Sequence, residues 1–192
     1  PEGKNMILSF LHESGLNISD LEVRKELLPQ QGVAFSQAGS PLLQNIPEKG
    51  MHLVTVTFFH PSCDSDDVIQ TDLNEESHGT QILFGTAGAW INVIANDEVL
   101  LYDELDSSLH TLLVKFLVQR FQSSSINTKN AQLIFTTHNT YLLSQNIFRR
   151  DQFWFVQKKK DGSSQVVPLS DFSPRNDEVL ETWYIRGRYG AI

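Results

Sequence analysis

A chain of 192 residues, 40% hydrophobic and 20% charged, is long enough for one domain or two small ones with a sizeable core, and this composition argues against overall disorder. No apolar run approaches the roughly 20 residues of a membrane-spanning helix, and the single cysteine, Cys63, excludes an internal disulfide and fits a reducing, cytoplasmic compartment. The net charge of −8 is lopsided, with 4 Lys+Arg against 17 Asp+Glu in residues 1–110 and 11 against 6 in residues 111–192; the chain as a whole is therefore no obvious nucleic-acid binder, and its basic half is a solvated face, a contact between lobes or a nucleic-acid surface.

The chain opens on Pro1 without a secretory signal pattern, so the true amino terminus is expected to lie upstream. Asn5–Ser14 predicts a short helix with Ile7, Phe10 and Leu11 on one face, stopped by Gly15. Leu16–Val23 predicts a half-buried strand. From Lys25 to Gly50 the turn residues and the lack of periodicity predict a loop or a segment that needs a partner to order. Met51–Phe59 predicts a strand whose two faces are both apolar enough to be buried. His60, Cys63 and the aspartates at 64, 66 and 67 suggest a metal site, but no second Cys/His pair completes a tetrahedral set, so an exposed acidic turn is the reading preferred.

A helix is predicted through Ile82, Leu83, Ala87, Trp90, Ile91 and Ile94, and Ser77-His78-Gly79-Thr80 stands just before it. A small hydroxyl, a glycine and free N–H groups at a helix start suit an anion; a plain Ser/Thr cap is the alternative. Val99–Tyr102 then predicts a central, buried parallel strand running straight into Asp103 and Glu104, at the strand end where ligands sit in open α/β sheets. Ser107-Ser108-Leu109-His110 follows, then an amphipathic helix over Leu109–Phe121 with Leu109, Leu112, Leu113, Phe116, Leu117 and Val118 on its apolar face. Ala131–Thr137 predicts a second core strand ending in His138. Thr140–Gln145 predicts a short helix, and Asp151–Gln157 with Ser164–Leu169 a hairpin around Asp161-Gly162. Lys158, Lys159 and Lys160 beside that turn read as edge protection, with DNA contact as the alternative. Asn176–Tyr184 predicts a closing helix.

Together these stretches resemble the Walker B strand, D-loop, signature and switch histidine of ABC-type ATPases, in the branch that holds SMC, Rad50 and RecF relatives. Residues 132–139, 150–155 and 183–192 resemble the carboxyl-terminal part of AAA-type defence ATPases of the abortive-infection, RloC-like, Septu- and retron-associated group. The resemblance implies an α/β fold, a P-loop NTPase of ABC/SMC type. It makes residues 71–192 the carboxyl-terminal lobe of the nucleotide-binding domain and residues 1–70 a strand and loop portion or an insertion. It also assigns roles: Asp103 to Mg²⁺, Glu104 to the general base, His138 to the γ-phosphate, Ser108 and His110 to the D-loop, and Ser77, Gly79 and Thr80 to the signature. ATP and Mg²⁺ are the cofactors implied. The partners implied are a second copy, as a homodimer through composite ATP sites, and a nuclease or other defence effector, with nucleic acid as a further partner and no membrane. His110 departs from the usual D-loop aspartate, and His78 is unusual within a signature. No Gly-x-x-x-x-Gly-Lys-Ser/Thr occurs in the 192 residues, so the phosphate loop is expected upstream or on another chain. A nucleotide-sensing scaffold with little turnover, a RecF/Rad50-like repair ATPase and a metal nuclease using Asp103, Glu104 and Asp106 are the rival functions.

Overall fold

The computed structural model describes residues 2–27, 52–62, 67–144, 147–174 and 179–190. The chain divides into two compact units, residues 1–92 and 93–192. The division lies inside a helix, and the strand at 68–72 is hydrogen-bonded into the first unit's sheet.

In the first unit, helix α1 (Glu2–Glu13) starts earlier than its apolar spacing predicts and buries Phe10 and Leu11. Gly15 leaves the helix at φ +91°, a conformation that glycine adopts without steric penalty. Strands β1 (Asp20–Leu27), β2 (His52–Pro61) and β3 (Val68–Asp72) form an antiparallel sheet with β2 in the middle. Thus β1 lies four residues beyond its predicted place. Leu16–Ser19 form no strand, although Ile18 is buried beside Leu21. Strand β2 buries Val56 and Phe58 on one face, and Leu53 and Val54 near its start are exposed. Cys63 and the aspartates at 64 and 66 lie outside the described residues, as do residues 28–50. Helix α2 (His78–Asn96) buries Leu83, Ala87 and Trp90, and Phe84 meets Phe58 edge-on at 5.1 Å.

In the second unit, β4 (Val99–Tyr102) and β5 (Gln132–Phe135) pair in parallel, with Val99 opposite Gln132 and Tyr102 opposite Phe135. Helix α3 (Thr111–Gln122) connects them and buries Val114, Leu117 and Val118. Leu112, predicted on the apolar face, is 63% exposed; at about 3.6 residues per turn it lies on the side of the helix away from Val114, Leu117 and Val118. The β4 strand is not buried on both sides among the described residues, since Leu101 is 73% and Ile134 58% exposed.

The buried Asn127 joins α3 to β5. Its Nδ2 donates to the Phe121 and Ala131 carbonyls, both at 2.8 Å, and its Oδ1 accepts from the Ala131 N–H at 2.8 Å. One side chain thus satisfies three backbone groups in a loop that has no ladder of its own.

The rest of the unit packs on an aromatic cluster. After α4 (Tyr141–Ser144), strands β6 (Trp154–Lys158) and β7 (Ser164–Pro168) form the expected hairpin, with Gly162 in its turn at φ +85°. Phe155 stacks on Tyr189 at 4.9 Å and on Tyr184 at 5.6 Å, which folds helix α5 (Leu180–Ile185) and the turn after it onto β6. Gly190 stands where an added Cβ would come within 2.6 Å of Gln157 Oε1. No helix among the described residues is long and apolar enough to cross a membrane.

Replacing Asn127 with alanine removes its bonds to three backbone groups, two of them on the buried Ala131, so Asn127→Ala should destabilise the chain by about 1–3 kcal/mol. Urea denaturation followed by far-UV circular dichroism measures this; an unchanged midpoint would show that the loop holds itself.

Candidate nucleotide site

The β4 strand ends at Tyr102, so Asp103 and Glu104 do not alternate across a strand as their sequence position suggests. They form a bend, and Glu104 adopts φ +50°, a left-handed conformation that costs a residue with a Cβ about 1–2 kcal/mol. The bend is stitched to the end of β5. The Thr136 N–H donates to the Tyr102 carbonyl at 3.1 Å, and the Leu105 N–H donates to the Thr136 carbonyl at 2.9 Å.

Between these two backbone bonds lies the Thr136 hydroxyl. It donates to Asp103 Oδ1 at 2.5 Å and accepts from the Glu104 N–H at 2.8 Å. A single side chain thereby orients one carboxylate and fixes the backbone of the next. Asp103, Glu104 and His138 are all exposed at this edge, so the two parallel strands do bring the three predicted catalytic and metal residues to the same end of the sheet.

The turn that follows is pinned underneath by Leu105 and Leu109, which are 0% and 8% exposed. Its polar side faces β5: Asp106 Oδ1 accepts from Thr137 Oγ1 at 2.6 Å and from the His138 N–H at 3.1 Å. Ser108, at φ +63°, is exposed at the end of the turn. His110 is exposed and caps α3, its Nδ1 accepting from the Leu112 N–H at 3.3 Å.

Ser77, Gly79 and Thr80 belong to the first unit. Ser77 Oγ accepts from the Thr80 N–H at 3.2 Å and lies 2.8 Å from Thr80 Oγ1, and Thr80 is buried. In this conformation the Ser/Thr pair forms the helix cap that the sequence offered as the plainer alternative. Ser77, His78 and part of Gly79 remain accessible at the start of α2. The segment before them is held from the sheet, since His60 Nε2 meets Glu76 Oε1 at 2.7 Å and the Gln81 side chain donates to the Glu76 carbonyl at 2.9 Å.

Sequence reasoning missed Thr136 and Thr137 as parts of the site, and offered Asp106 only as a ligand of the rival metal nuclease. Two hydroxyls between a strand end and a histidine, opposite three carboxylates within four residues, are the signal that was present.

Among the described residues no three His, Cys, Asp or Glu side chains are grouped to hold a metal ion, so Asp103, Glu104 and Asp106 do not form a ready metal cluster. One exposed carboxylate at a strand end nevertheless fits Mg²⁺, which usually takes one or two protein carboxylates and completes its shell with water and substrate phosphates.

The family described as "AAA domain, putative AbiEii toxin, Type IV TA system" matches residues 13–144, more than half of the chain, and the chain belongs to that family. A solved structure from work on the ATP-driven dimerisation and DNA-stimulated activation of SMC ATPases is similar over 98% of this chain and 93% of that one, with 15% identity and a TM-score of 0.51. The fold is therefore the α/β P-loop NTPase fold of the AAA/SMC type. No curated protein matches the chain.

Strain at Glu104 is testable apart from any activity. Glu104→Gly removes the Cβ from a left-handed position, so it should raise stability by up to about 1 kcal/mol. Thermal and urea unfolding measure the change; a loss of stability would show that the carboxylate, and not a strained backbone, governs the bend.

Proposed function

We propose that this chain is the carboxyl-terminal lobe of an ATP-hydrolysing, ABC/SMC-like ATPase that dimerises around nucleotide and controls an effector in anti-phage defence. The observation that carries the reading is the parallel pair of strands whose common edge presents Asp103, Glu104 and His138, with Asp103 and Glu104 bridged by Thr136. Family membership supports ATP as the ligand. The putative-toxin wording of the family description and the ATP-driven dimerisation studied in the SMC neighbour support the effector and the dimer.

In this mechanism Asp103, with its carboxylate already aimed by the Thr136 hydroxyl, would hold Mg²⁺, which would supply neutralisation of phosphate charge. Glu104 accepts a proton from the attacking water, and its backbone position is set before substrate arrives. His138 donates a hydrogen bond toward the γ-phosphate from the end of β5. Fixing these groups in advance places the cost of their ordering in folding and not in the reaction. Ser77, Gly79 and the first N–H groups of α2 act on the nucleotide of the partner copy, where the positive end of a 19-residue helix favours phosphate. The phosphate loop comes from outside these 192 residues.

A sensing scaffold with slow turnover is the second reading. It is favoured by the Ser77 and Thr80 hydroxyls, which satisfy one another and must rearrange before either meets a phosphate.

One experiment addresses turnover and composite sites together, in the ATPase completed by its phosphate loop. Glu104→Gln should bind ATP but hydrolyse it at least ~10²-fold more slowly, and a Ser77→Arg, Gly79→Asp variant should also be inactive. Mixed, the two should recover part of the wild-type rate, because one composite site then carries both defects and the other neither. Near-normal hydrolysis by Glu104→Gln would remove the base. A mixture that forms dimers yet stays inactive would remove the trans arrangement.

A further inference from the structure

Asp106 has no part in the mechanism above, yet it is the carboxylate most engaged with β5. It lies three residues after Asp103 in the turn that also carries Glu104, and its side chain is half-buried. One oxygen, Oδ1, accepts from both the Thr137 hydroxyl and the His138 N–H. Having donated to Asp106, the Thr137 oxygen accepts in turn from the Asn139 N–H at 3.0 Å. Asn139 continues the chain, its Oδ1 accepting from the Tyr141 N–H at 3.1 Å and its Nδ2 donating to Thr111 Oγ1 at 3.1 Å. The irregular stretch between β5 and α4 has no ladder of its own, so these bonds determine where residue 138 stands.

We infer that Asp106 is a positioning residue for His138: its carboxylate latches the histidine-bearing segment to the turn that carries Glu104, so that base and phosphate-contacting group keep one relative placement. This rests on the reading of His138 as the group that meets the γ-phosphate. Two features make the latch stiff. The turn is closed by the Ser107 N–H donating to the Glu104 carbonyl at 2.8 Å, and its floor is the fully buried Leu105, whose N–H is bonded to the Thr136 carbonyl. With Thr136 bridging Asp103 and Glu104 on one side and Asp106 holding Thr137 and His138 on the other, the two loops are clamped at successive residues.

A metal-ligand role for Asp106, the rival assignment, meets two obstacles. A cation at Oδ1 would face the donating hydroxyl of Thr137 and the N–H of His138, and no three-ligand group forms there among the described residues. Two donors at a strand end require an acceptor oxygen with two free lone pairs, which this carboxylate supplies.

The test separates position from charge. In the ATPase completed by its phosphate loop, Asp106→Asn keeps an oxygen that accepts both bonds and should stay within about threefold of wild-type kcat, whereas Asp106→Ala should lose about tenfold or more in kcat with KM for ATP and the Mg²⁺ requirement unchanged. Thr137→Ser and Thr137→Val should follow the same division. In a His138→Ala background, Asp106→Ala should cost no more than about twofold further, because residues acting through one another are not additive. Full additivity there, or a raised Mg²⁺ requirement in Asp106→Asn, would overturn the inference. If His138→Ala alone leaves turnover intact, the sensor reading fails, and the latch is then judged by amide hydrogen exchange at His138. Exchange should be faster in Asp106→Ala and not in Asp106→Asn, and equal rates in all three proteins would overturn it.

Discussion

The Thr136 hydroxyl is the contact on which the edge of the second unit depends. Parallel strands deliver their carboxyl ends to one side, but delivery alone leaves the residues beyond each strand free to wander. Thr136 removes that freedom at the first residue past β5 by binding the first carboxylate past β4 and the N–H of the next residue. A hydroxyl suits this place because it donates and accepts at once, one bond to each side. The carboxylate end of the bridge is charge-assisted, which makes it the stronger of the two.

Consequences spread outward from that contact. With its N–H tied down, Glu104 takes a left-handed backbone that its side chain disfavours, and Leu105 is carried into the core. The buried leucine then holds the turn that presents Asp106 to Thr137 and His138. Farther out, Asn127 fixes the entry to β5, and the aromatic stack of Phe155 with Tyr184 and Tyr189 anchors the segments that follow α4. Local strain at one exposed carboxylate is sustained by packing on both sides, a pattern that recurs where chemistry is done.

Much of this was legible in the sequence, for reasons that differ from element to element. Val99–Tyr102 and Gln132–Phe135 stand out because four-residue apolar runs between polar turns leave few alternatives, and Asp161-Gly162 between alternating residues marks a hairpin directly. The strand β1 was misplaced because the apolar alternation runs from Leu16 to Val23 and breaks at Lys25, whereas pairing with β2 starts the strand at Asp20 and carries it through Leu27. Strand β3 is equally dependent on its neighbour. At the site, Asp103, Glu104 and His138 could be picked out by residue type and spacing. The bend at 103–104, the Thr136 bridge and the capping role of His110 could not, since each depends on which two loops lie side by side.

The most direct measurement is ATP turnover by Thr136→Ser and Thr136→Val in the ATPase completed by its phosphate loop, with urea unfolding of each alongside. Serine keeps the donor and the acceptor, and its rate should stay close to wild type. Valine keeps the shape but loses both bonds, and at about 1.5–3 kcal/mol for a hydrogen bond to a charged group its turnover should fall about tenfold or more while ATP still binds. Wild-type turnover by Thr136→Val would contradict the central claim that this one hydroxyl organises the edge shared by β4 and β5.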